Sequence, residues 1–459
     1  MYATAVDDLG NVIVAGYTDS PEFPATHLYG SRQAQDVFVA KVSSDGSSLI
    51  WSTLLAGASN DQAAAIAVNA AGEIYVTGQT ASADFPTTAG AFRRTNSGGG
   101  DAFVAKLVSD GSLVYSTMIG GSSSDVAASV AVDGSGYVTI AGSTQSVNFP
   151  STPGAFKVTQ SAGDMGGGGI DGFVTRFRPD LSGVEASTYL GSGGEETAAA
   201  VTLDKDNLPI VVGATNACSL FPTTAGAFQT VCTGPGRDCF ISKLNGNFSG
   251  LLYSSLLGGY ARDECSAAVV DAQGAIYVGG RTFSGDFPVT AGAYQTTQDG
   301  LGGMGFVAKF KPAFAGLQFA TFLGGSSVWT APMTYAGSTL WGLHLASDGK
   351  IVATGWAQTQ YFPTTSGAYQ NGLNGSAGVA DAFVSLLSAD GSALLYSSYL
   401  GSSSEDVGYT VGIQPSGRVV LAGYTRGSGF PVSASAFDRT FGGASEGFLT
   451  AIDIGLSPQ

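Results

Sequence analysis

The dipeptide Phe-Pro recurs seven times along the 459-residue chain at nearly even spacing. Its phenylalanines are Phe23, Phe85, Phe149, Phe221, Phe287, Phe362 and Phe430. Successive copies lie between 62 and 75 residues apart. One domain core rarely serves more than about 300 residues. A chain this long with a fixed period therefore predicts one small unit repeated seven times.

The unit between residues 63 and 121 shows four short strand patterns. Two apolar runs, 64–68 and 74–78, are separated by an Ala-Gly turn, and a long loop with Phe85-Pro86 follows. The third pattern, 102–107, places Phe103 and Ala105 on one face and Val104 and Lys106 on the other. Asp110-Gly111 is a hairpin signal, and residues 113–118 form the fourth pattern. Each unit is therefore predicted to be a small antiparallel sheet.

The composition agrees with a chain of many strands joined by tight turns. Glycine accounts for 68 residues and charged residues for only 12%, whereas long helices need more Glu, Lys and Leu. A β-helix has shorter rungs, and a sandwich needs about seven strands per unit. The sequence predicts an all-β fold, a seven-bladed β-propeller with four antiparallel strands per blade, spanning residues 1–459 as one domain.

The repeated motifs also resemble a known family. Phe85-Pro-Thr-Thr-Ala-Gly-Ala-Phe92 and Asp381-Ala-Phe-Val384 are similar to the bacterial SBBP β-propeller repeat, and the pattern extends over nearly the whole chain. The resemblance implies a component of a large secreted or surface protein and supplies no catalytic residues. A looser similarity to NHL repeats implies that the first strand of each blade is innermost, around a central channel. The small residues that suit that position are Ala64, Ala65, Ala67, Ala198, Ala199 and Ala200.

The fourth strand pattern occurs only six times. It is centred on Trp51, Tyr115, Ser187, Tyr253, Phe319 and Tyr396. Either the last blade has three strands, or its outer strand belongs to sequence outside this chain. We expect a monomer or a module of a longer protein. The first residues lack the pattern of a signal peptide, so an export signal would lie outside this chain or have been removed.

The charge balance excludes two classes of partner. The formal net charge is −16, from 19 basic and 35 acidic residues. Nucleic-acid grooves need clustered cations, so no nucleic acid is expected. No apolar run reaches 18 residues, so no membrane insertion is expected.

The long loops point to one face of the propeller as the binding face. The turns from strand one to two and from three to four are short, whereas the other connections are long and lie on the opposite face, which we call the long-loop face. One position there, after the glycine that ends strand two, varies between blades. It is filled by Tyr17, Gln79, Ser143, Ala214, Arg281, Trp356 and Tyr424. We expect Tyr17, Arg281, Trp356 and Tyr424 to bind a ligand near the channel mouth.

An aromatic-rich insertion follows Gly324-Gly325, where the usual Asp is lost. Trp329, Tyr335, Trp341 and His344 are further candidate ligand-binding residues on this face. Exposed aromatic side chains with one Arg could stack on sugar rings or hold a peptide. The alternative is that Trp329 and Trp341 fill a junction between blades.

Residues that recur in every blade are interpreted as structural. Phe-Pro is expected to pack at blade junctions, and the Asp before each third strand to accept hydrogen bonds from loop N–H groups. A repeated calcium site at Asp61, Asp125, Asp263 and Asp406 is the alternative; otherwise the sequence predicts no cofactor and no metal site.

The four cysteines, Cys218, Cys232, Cys239 and Cys265, all fall in blade four and its junction with blade five. Three pairings are possible, and we predict Cys218–Cys232 and Cys239–Cys265. Disulfides would indicate an extracellular or cell-surface location. Reduced, buried thiols are the alternative.

The sequence favours binding over catalysis. It contains two histidines, and no nucleophile elbow, phosphate loop or zinc-protease motif. The leading hypothesis is a secreted or cell-surface scaffold that recognises a glycan or a protein through the long-loop face. A polysaccharide hydrolase or lyase, using carboxylates such as Glu195-Glu196 or Asp263-Glu264, and a structural spacer are the alternatives.

Overall fold

The computed structural model describes residues 1–161, 169–298, 300, 302–325, 337–376 and 378–459. These residues form seven antiparallel sheets arranged as the seven blades of a β-propeller. Six sheets contain the four predicted strands, and the seventh contains three. The strands are numbered in chain order below.

The inner half of each blade is a pair of strands joined by a short turn. The first strands are β1 (Ala3–Val6), β6 (Asp61–Val68), β10 (Asp125–Val132), β14 (Glu196–Leu203), β18 (Asp263–Val270), β22 (Ser338–Leu345) and β26 (Asp406–Ile413). The second strands are β2 (Val12–Thr18), β7 (Ile74–Thr80), β11 (Val138–Thr144), β15 (Pro209–Thr215), β19 (Ile276–Thr282), β23 (Ile351–Ala357) and β27 (Val419–Thr425). Each first strand contacts the first strand of the next blade, so the first strands form the innermost ring.

The outer half of each blade begins after the Phe-Pro loop. The third strands are β4 (Asp36–Val42), β8 (Asp101–Leu107), β12 (Asp171–Phe177), β16 (Asp238–Leu244), β20 (Met304–Phe310), β24 (Asp381–Leu387) and β28 (Glu446–Ile452). The fourth strands are β5 (Leu49–Ala56), β9 (Leu113–Ile119), β13 (Val184–Leu190), β17 (Leu251–Leu257), β21 (Leu317–Leu323) and β25 (Leu394–Leu400). Blade one also has an unpredicted strand, β3 (His27–Gly30), parallel to the outer edge of β5.

The turns and alternating faces form as the sequence predicts. Gly111 has a φ of +88° in the turn between β8 and β9, a conformation that glycine adopts without strain. Phe103 packs in the core shared with blade one, and Val104 packs in the core shared with blade three. Phe85 is buried against Phe103, with ring centroids 4.7 Å apart. The predicted structural role of Phe-Pro is therefore confirmed.

The first and last blades close the ring without a shared sheet. Val12 and Val14 of blade one pack with Val420 and Ala422 of blade seven. The Gln414 amide donates hydrogen bonds to the carbonyls of Gly10, at 2.7 Å, and Ser44, at 2.8 Å. Blade seven is thus held to blade one by packing and by hydrogen bonds. Within the described residues, no helix is long and apolar enough to cross a membrane.

Each described first strand from β6 to β26 contains a β-bulge at the same place. The pairing of the first strand with the second strand skips one residue there, for example between Ala127 and Ser129 in β10. The opposing residue on the second strand is glycine: a Cβ on Gly142 would lie 1.9 Å from the carbonyl oxygen of Val126. The bulge and the glycine therefore depend on each other, and the bulge places one extra residue at the inner edge of each blade.

Candidate functional site

The bulge residues form a ring around the channel, at the fourth position of each first strand. In order of blades two to seven they are Ala64, Ala128, Ala199, Ser266, Trp341 and Tyr409. Tyr2 takes the equivalent position in blade one, since its N–H bonds to the carbonyl of Ala15 just before β1 pairs with β2. Four consecutive blades thus carry small residues, and the next three carry aromatic ones.

The aromatic residues from blades six, seven and one contact each other. The ring centroids of Tyr2 and Tyr409 are 4.7 Å apart, and those of Tyr409 and Trp341 are 6.1 Å apart. Tyr17 stacks on Tyr2 at 5.7 Å, and Tyr424 lies 5.9 Å from Tyr409. We call these five residues the aromatic cluster. Trp341 is 40% exposed, and the four tyrosines are half-buried, so the cluster presents ring surface to solvent.

The cluster lies in the half of the channel nearer the long-loop face. First strands run away from that face, and the bulge is at their fourth residue. Second strands run towards it, and Tyr17 and Tyr424 are the sixth residues of their seven. The strand-two position chosen from the sequence therefore does reach the channel mouth, where Tyr17 and Tyr424 join the cluster.

Arg281 and Trp356 form a separate pair. The Arg281 guanidinium lies 5.2 Å from the Trp356 ring centroid and 4.3 Å from that of Phe283. Burial lowers the pKa of Arg281 to about 10, so the group remains a cation at neutral pH. Such a cation over a ring is a favourable contact, and it orients Trp356.

Two glutamates near the mouth form ion pairs. Glu405 lies 2.7 Å from Arg426, whose guanidinium also lies 5.6 Å from the Tyr424 ring centroid. Glu264 lies 2.7 Å from Arg262 and 3.7 Å from Arg237. The charges of these two carboxylates are thus balanced by arginines even though the whole chain is acidic.

Three tyrosines of the cluster, Tyr2, Tyr409 and Tyr424, keep their protons. Burial and the neighbouring Tyr17 phenol raise the pKa of Tyr2, and burial and the Glu405 carboxylate raise the pKa of Tyr424. Burial also raises the pKa of Tyr409. The hydroxyls therefore remain neutral hydrogen-bond donors across the physiological pH range.

Two of the predicted placements are corrected. Trp341 and His344 do not belong to the insertion, since both lie within β22. The misplacement arises because Ser338 replaces the Asp that starts most other first strands. His344 is the seventh residue of β22, towards the short-turn face, and its Nδ1 lies 3.0 Å from the Leu345 carbonyl. Trp329 and Tyr335 lie outside the described residues.

Tyr2 and Tyr409 are members of the cluster that sequence reasoning missed. The signal was available: three residues after the Asp or Glu that starts strand one, the chain has Ala64, Ala128, Ala199, Ser266 and then Tyr409. Small residues in four blades make the tyrosine stand out. Recognising the position required knowledge of the bulge.

Pairs of buried carboxylates lie at five blade junctions, where a third strand meets the next first strand. The pairs are Asp36 and Asp61, Asp101 and Asp125, Asp171 and Glu196, Asp238 and Asp263, and Asp381 and Asp406. At the junction of blades five and six, Met304 and Ser338 stand at these positions instead.

The carboxylates hold loops in place. Asp101 Oδ2 accepts the Ser97 N–H at 2.9 Å, as predicted for the Asp before strand three. Asp61 accepts the hydroxyl of Thr80 at 2.5 Å and that of Ser82 at 2.9 Å. Burial raises the pKa of Asp61 to about 6, and burial and the Asp263 charge raise that of Asp238 to about 7. The described residues include no group of three His, Cys, Asp or Glu side chains placed to hold a metal ion.

In each of the two carboxylate pairs considered for hydrolysis, only one member is buried and accepts hydrogen bonds from hydroxyls. Glu196 is buried and accepts the hydroxyls of Ser192 and Thr215, both at 2.7 Å, whereas Glu195 is exposed. Asp263 is likewise buried and accepts the Ser284 hydroxyl, while Glu264 pairs with arginine.

Both predicted disulfides are present. Cys218–Cys232 closes the long loop of blade four, with a Cα–Cα distance of 5.6 Å. Cys239–Cys265 joins β16 of blade four to β18 of blade five, with a Cα–Cα distance of 5.2 Å. Two disulfides are typical of a protein in an oxidising environment.

A shallow groove also lies on the long-loop face of blade one, away from the cluster. It is lined by residues 19–21, 32–36 and Asn60. The Arg32 guanidinium there donates to the carbonyls of Pro21, at 2.8 Å, and Phe23, at 2.9 Å. Because its main cation supports the loop, the groove is a weaker candidate than the aromatic cluster.

Comparison with known proteins agrees with this architecture. Residues 50–86 match the family described as SBBP, beta-propeller repeat. The chain therefore carries a segment similar to the SBBP repeat within its propeller. The match runs from β5 of blade one to Phe85-Pro86 of blade two, a little over half of one period. No curated protein sequence matches the chain.

Several solved structures are similar to this propeller. A protein of unknown function from Dyadobacter fermentans is 11% identical, with a TM-score of 0.42, over 85% of this chain and 95% of that one. The NanB sialidase from Streptococcus pneumoniae is 8% identical, with a TM-score of 0.37, over 92% and 64%. BamB from Moraxella catarrhalis is 10% identical, with a TM-score of 0.31, over 91% and 89%.

Proposed function

We propose that the protein is a secreted or cell-surface binding scaffold that recognises a neutral glycan at the channel mouth of the long-loop face. The observation that carries the proposal is the aromatic cluster. Three consecutive blades place Trp341, Tyr409 and Tyr2 at a backbone position where the other four blades have Ala or Ser. The backbone does not require aromatic residues there, since four blades form the same bulge without them.

The chemistry of the cluster suits a sugar. Tyrosine and tryptophan offer flat apolar surface together with a polar tip, which complements the apolar face and the hydroxyls of a pyranose ring. The neutral tyrosine hydroxyls donate hydrogen bonds without the desolvation cost of a charge. Because rings from three blades contribute, the surface is wide enough for more than one sugar unit.

The charge pattern favours a neutral ligand and binding over catalysis. A net charge of −16 opposes the approach of polyanions. Glu264 and Glu405, two carboxylates at the starts of first strands, are both paired with arginine. Glycoside hydrolysis uses two carboxyl groups with distinct roles, and these ion pairs do not suit that use. The disulfides support an exported location.

The test is a glycan array probed with the wild-type protein, then with Trp341→Ala and Tyr409→Ala. We expect one class of neutral oligosaccharide to bind the wild-type protein, and both variants to lose that signal. Tyr260→Ala is the matched control, since Tyr260 is 63% exposed and lies in a connection on the same face but outside the cluster. An array on which no glycan binds, or binding that survives both cluster substitutions, would contradict the proposal.

A further inference from the structure

The junction between blades four and five contains a buried carboxylate with no protein partner among the described residues. Asp238, the first residue of β16, is fully buried. Neither of its carboxylate oxygens accepts a hydrogen bond from the described part of the chain. Buried polar groups are almost always paired with protein, water or an ion, and an unpaired charge is very costly to bury. Asp238 therefore needs a partner from solution.

A second buried carboxylate faces Asp238 across the junction. Asp263, the first residue of β18, is also fully buried. A Cβ on Gly258 would lie 2.8 Å from Asp238 Oδ1 and 2.8 Å from Asp263 Oδ2, so the two carboxylates approach one point from two blades. Burial, the Asp263 charge and the charge of the exposed Asp286 raise the pKa of Asp238 to about 7. The junction is thus short of positive charge.

Blade three shows how an equivalent carboxylate pair is neutralised. Its pair is Asp171 and Glu196, and a Cβ on Gly191 would lie 2.8 Å from Asp171 Oδ1 and 2.6 Å from Glu196 Oε2. The Lys157 ammonium lies 3.2 Å from Asp171 Oδ2 and donates to the Gly191 carbonyl at 2.9 Å. Arg93 occupies the same place in blade two, 4.0 Å from the third-strand aspartate. The fold therefore accepts a cation at this place.

Blade four has glutamine where blade three has this lysine. Gln229 is equivalent to Lys157, since each follows the aromatic residue of a Gly-Ala-Phe motif. Its amide oxygen accepts the Gly258 N–H at 3.0 Å, and its Nε2 donates to a carbonyl of its own loop at 3.1 Å. In blade six, the equivalent Gln370 instead donates to the carboxylate of Asp381 at 2.6 Å. Gln229 thus brings an oxygen atom to the junction and leaves Asp238 without a donor.

The arginines next to the two aspartates in sequence do not supply the charge. Arg237 precedes Asp238 and Arg262 precedes Asp263, yet both guanidinium groups pair with Glu264. The carboxylate pair is therefore not neutralised by these neighbours.

The two disulfides hold the same junction together. The Cys239–Cys265 bond joins β16 to β18, the two strands whose first residues are the carboxylates. The Cys218–Cys232 bond closes the loop that carries Gln229. Binding sites depend on groups that are held in place before the ligand arrives. All four cysteines of the chain thus fix the groups that surround Asp238.

We propose that the junction of blades four and five binds one calcium ion. Asp238 and Asp263 would supply carboxylate oxygens, and Gln229 and Gly258 would supply an amide and a main-chain carbonyl oxygen. These are the ligand types that Ca²⁺ takes, whereas Mg²⁺ demands a near-ideal octahedron and gives up its waters reluctantly. The repeated calcium site considered from the sequence is thereby narrowed to one junction, since Asp238 alone among the described third-strand aspartates has both oxygens unpaired.

The test is a calorimetric titration of calcium chloride, near neutral pH, into the full chain after divalent ions have been removed with a chelator. We expect one site per chain, and a melting temperature several degrees higher in calcium than in chelator. Asp238→Asn removes one charged ligand, and we expect the calcium affinity to fall at least about tenfold. Asp101→Asn is the matched control, because it makes the same change beside Arg93 and should leave the affinity unchanged.

A second variant separates loss of the ion from loss of the fold. Gln229→Lys gives blade four the cation that Lys157 gives blade three. We expect this variant to lose calcium binding and, in chelator, to melt at a higher temperature than the wild-type protein. No binding to the wild-type protein, more than one calcium ion per chain, or full affinity in Asp238→Asn or Gln229→Lys would each overturn the proposal. Equal affinity for magnesium chloride would overturn the choice of calcium.

Discussion

Blades two to five and blades six, seven and one have the same inner backbone but carry different side chains on it. In the first group, which we call the regular sector, the bulge holds Ala64, Ala128, Ala199 or Ser266. In the second group, the aromatic sector, the bulge residues Trp341 and Tyr409 and the equivalent Tyr2 are aromatic. The regular sector also contains both disulfides. The residues that repeat therefore build the ring, and side chains that the ring does not require are free to differ between sectors.

The largest loss of stability is expected on replacing a glycine that the backbone conformation requires. In the regular sector, Gly142→Ala would place a Cβ 1.9 Å from the carbonyl oxygen of Val126. In the aromatic sector, Gly423→Ala would place a Cβ 1.9 Å from the carbonyl oxygen of Val407. We expect each to cost about 3 kcal/mol of unfolding free energy, measured by urea denaturation. Gly134→Ala is the control, since a Cβ there meets nothing within 4 Å. A large difference between the two sectors would show that they do not share one skeleton.

The second largest loss of stability is expected on removal of a disulfide. Replacing Cys239 and Cys265 together by alanine removes the covalent link between blades four and five, which closes a loop of 26 residues. We expect a loss of about 3 kcal/mol, with unfolding that begins in the regular sector. Hydrogen exchange would locate the opening. Earlier opening of blades six and seven instead would show that the disulfide is not what stabilises the regular sector.

The buried carboxylates predict a pH dependence centred on the junction of blades four and five. Burial raises the pKa of Asp238 to about 7, so the folded state binds more protons than the unfolded state between roughly pH 4 and 7. Stability is therefore greatest at low pH in this window and falls as the pH rises through it. We expect the melting temperature to be several degrees lower at pH 8 than at pH 5, and Asp238→Asn to reduce that difference.

The control for this pH effect is Asp45→Asn. Hydrogen bonds from Ser43 and Ser47 hold the pKa of Asp45 at about 2, so its charge is constant between pH 5 and 8. Its substitution should leave the pH profile unchanged. A wild-type melting temperature that rises from pH 5 to pH 8 would contradict the assignment of raised carboxyl pKa values.

The smallest effect on stability is expected in the aromatic cluster. Trp341 is 40% exposed, and alanine occupies the equivalent bulge position in three blades. We expect Trp341→Ala to change the free energy of unfolding by less than about 0.5 kcal/mol. A loss of several kcal/mol would support the alternative in which this tryptophan fills a blade junction.

The repeat made most of the fold predictable. Phe85, Asp101 and Gly111 recur because packing, loop capping and turn geometry require these residue types at the same place in a blade. Such local requirements can be recognised in the sequence of each repeat. β3 was not predicted, because His27–Gly30 is a short segment inside a loop and pairs through its backbone. The disulfide pairing, chosen among three possibilities, was also predicted correctly.

The candidate site was only partly predictable. Tyr17 and Tyr424 were found because a position next to a repeated glycine can be aligned without a structure. Tyr2 and Tyr409 were missed because a bulge shifts the alternation of the strand by one residue. Trp341 was assigned to a loop because the Asp that usually starts its strand is replaced by Ser338. Contacts between blades joined these residues into one surface, and no local pattern encodes such contacts.

The most direct test of the account is a calorimetric titration of the oligosaccharide selected on the array. Tyr409→Ala and Ser266→Ala change equivalent bulge residues in the two sectors and can be compared with the wild-type protein. We predict that Tyr409→Ala weakens binding at least about tenfold, while Ser266→Ala leaves the affinity unchanged. Equal affinity of Tyr409→Ala and the wild-type protein would contradict the claim that the aromatic sector is the binding site.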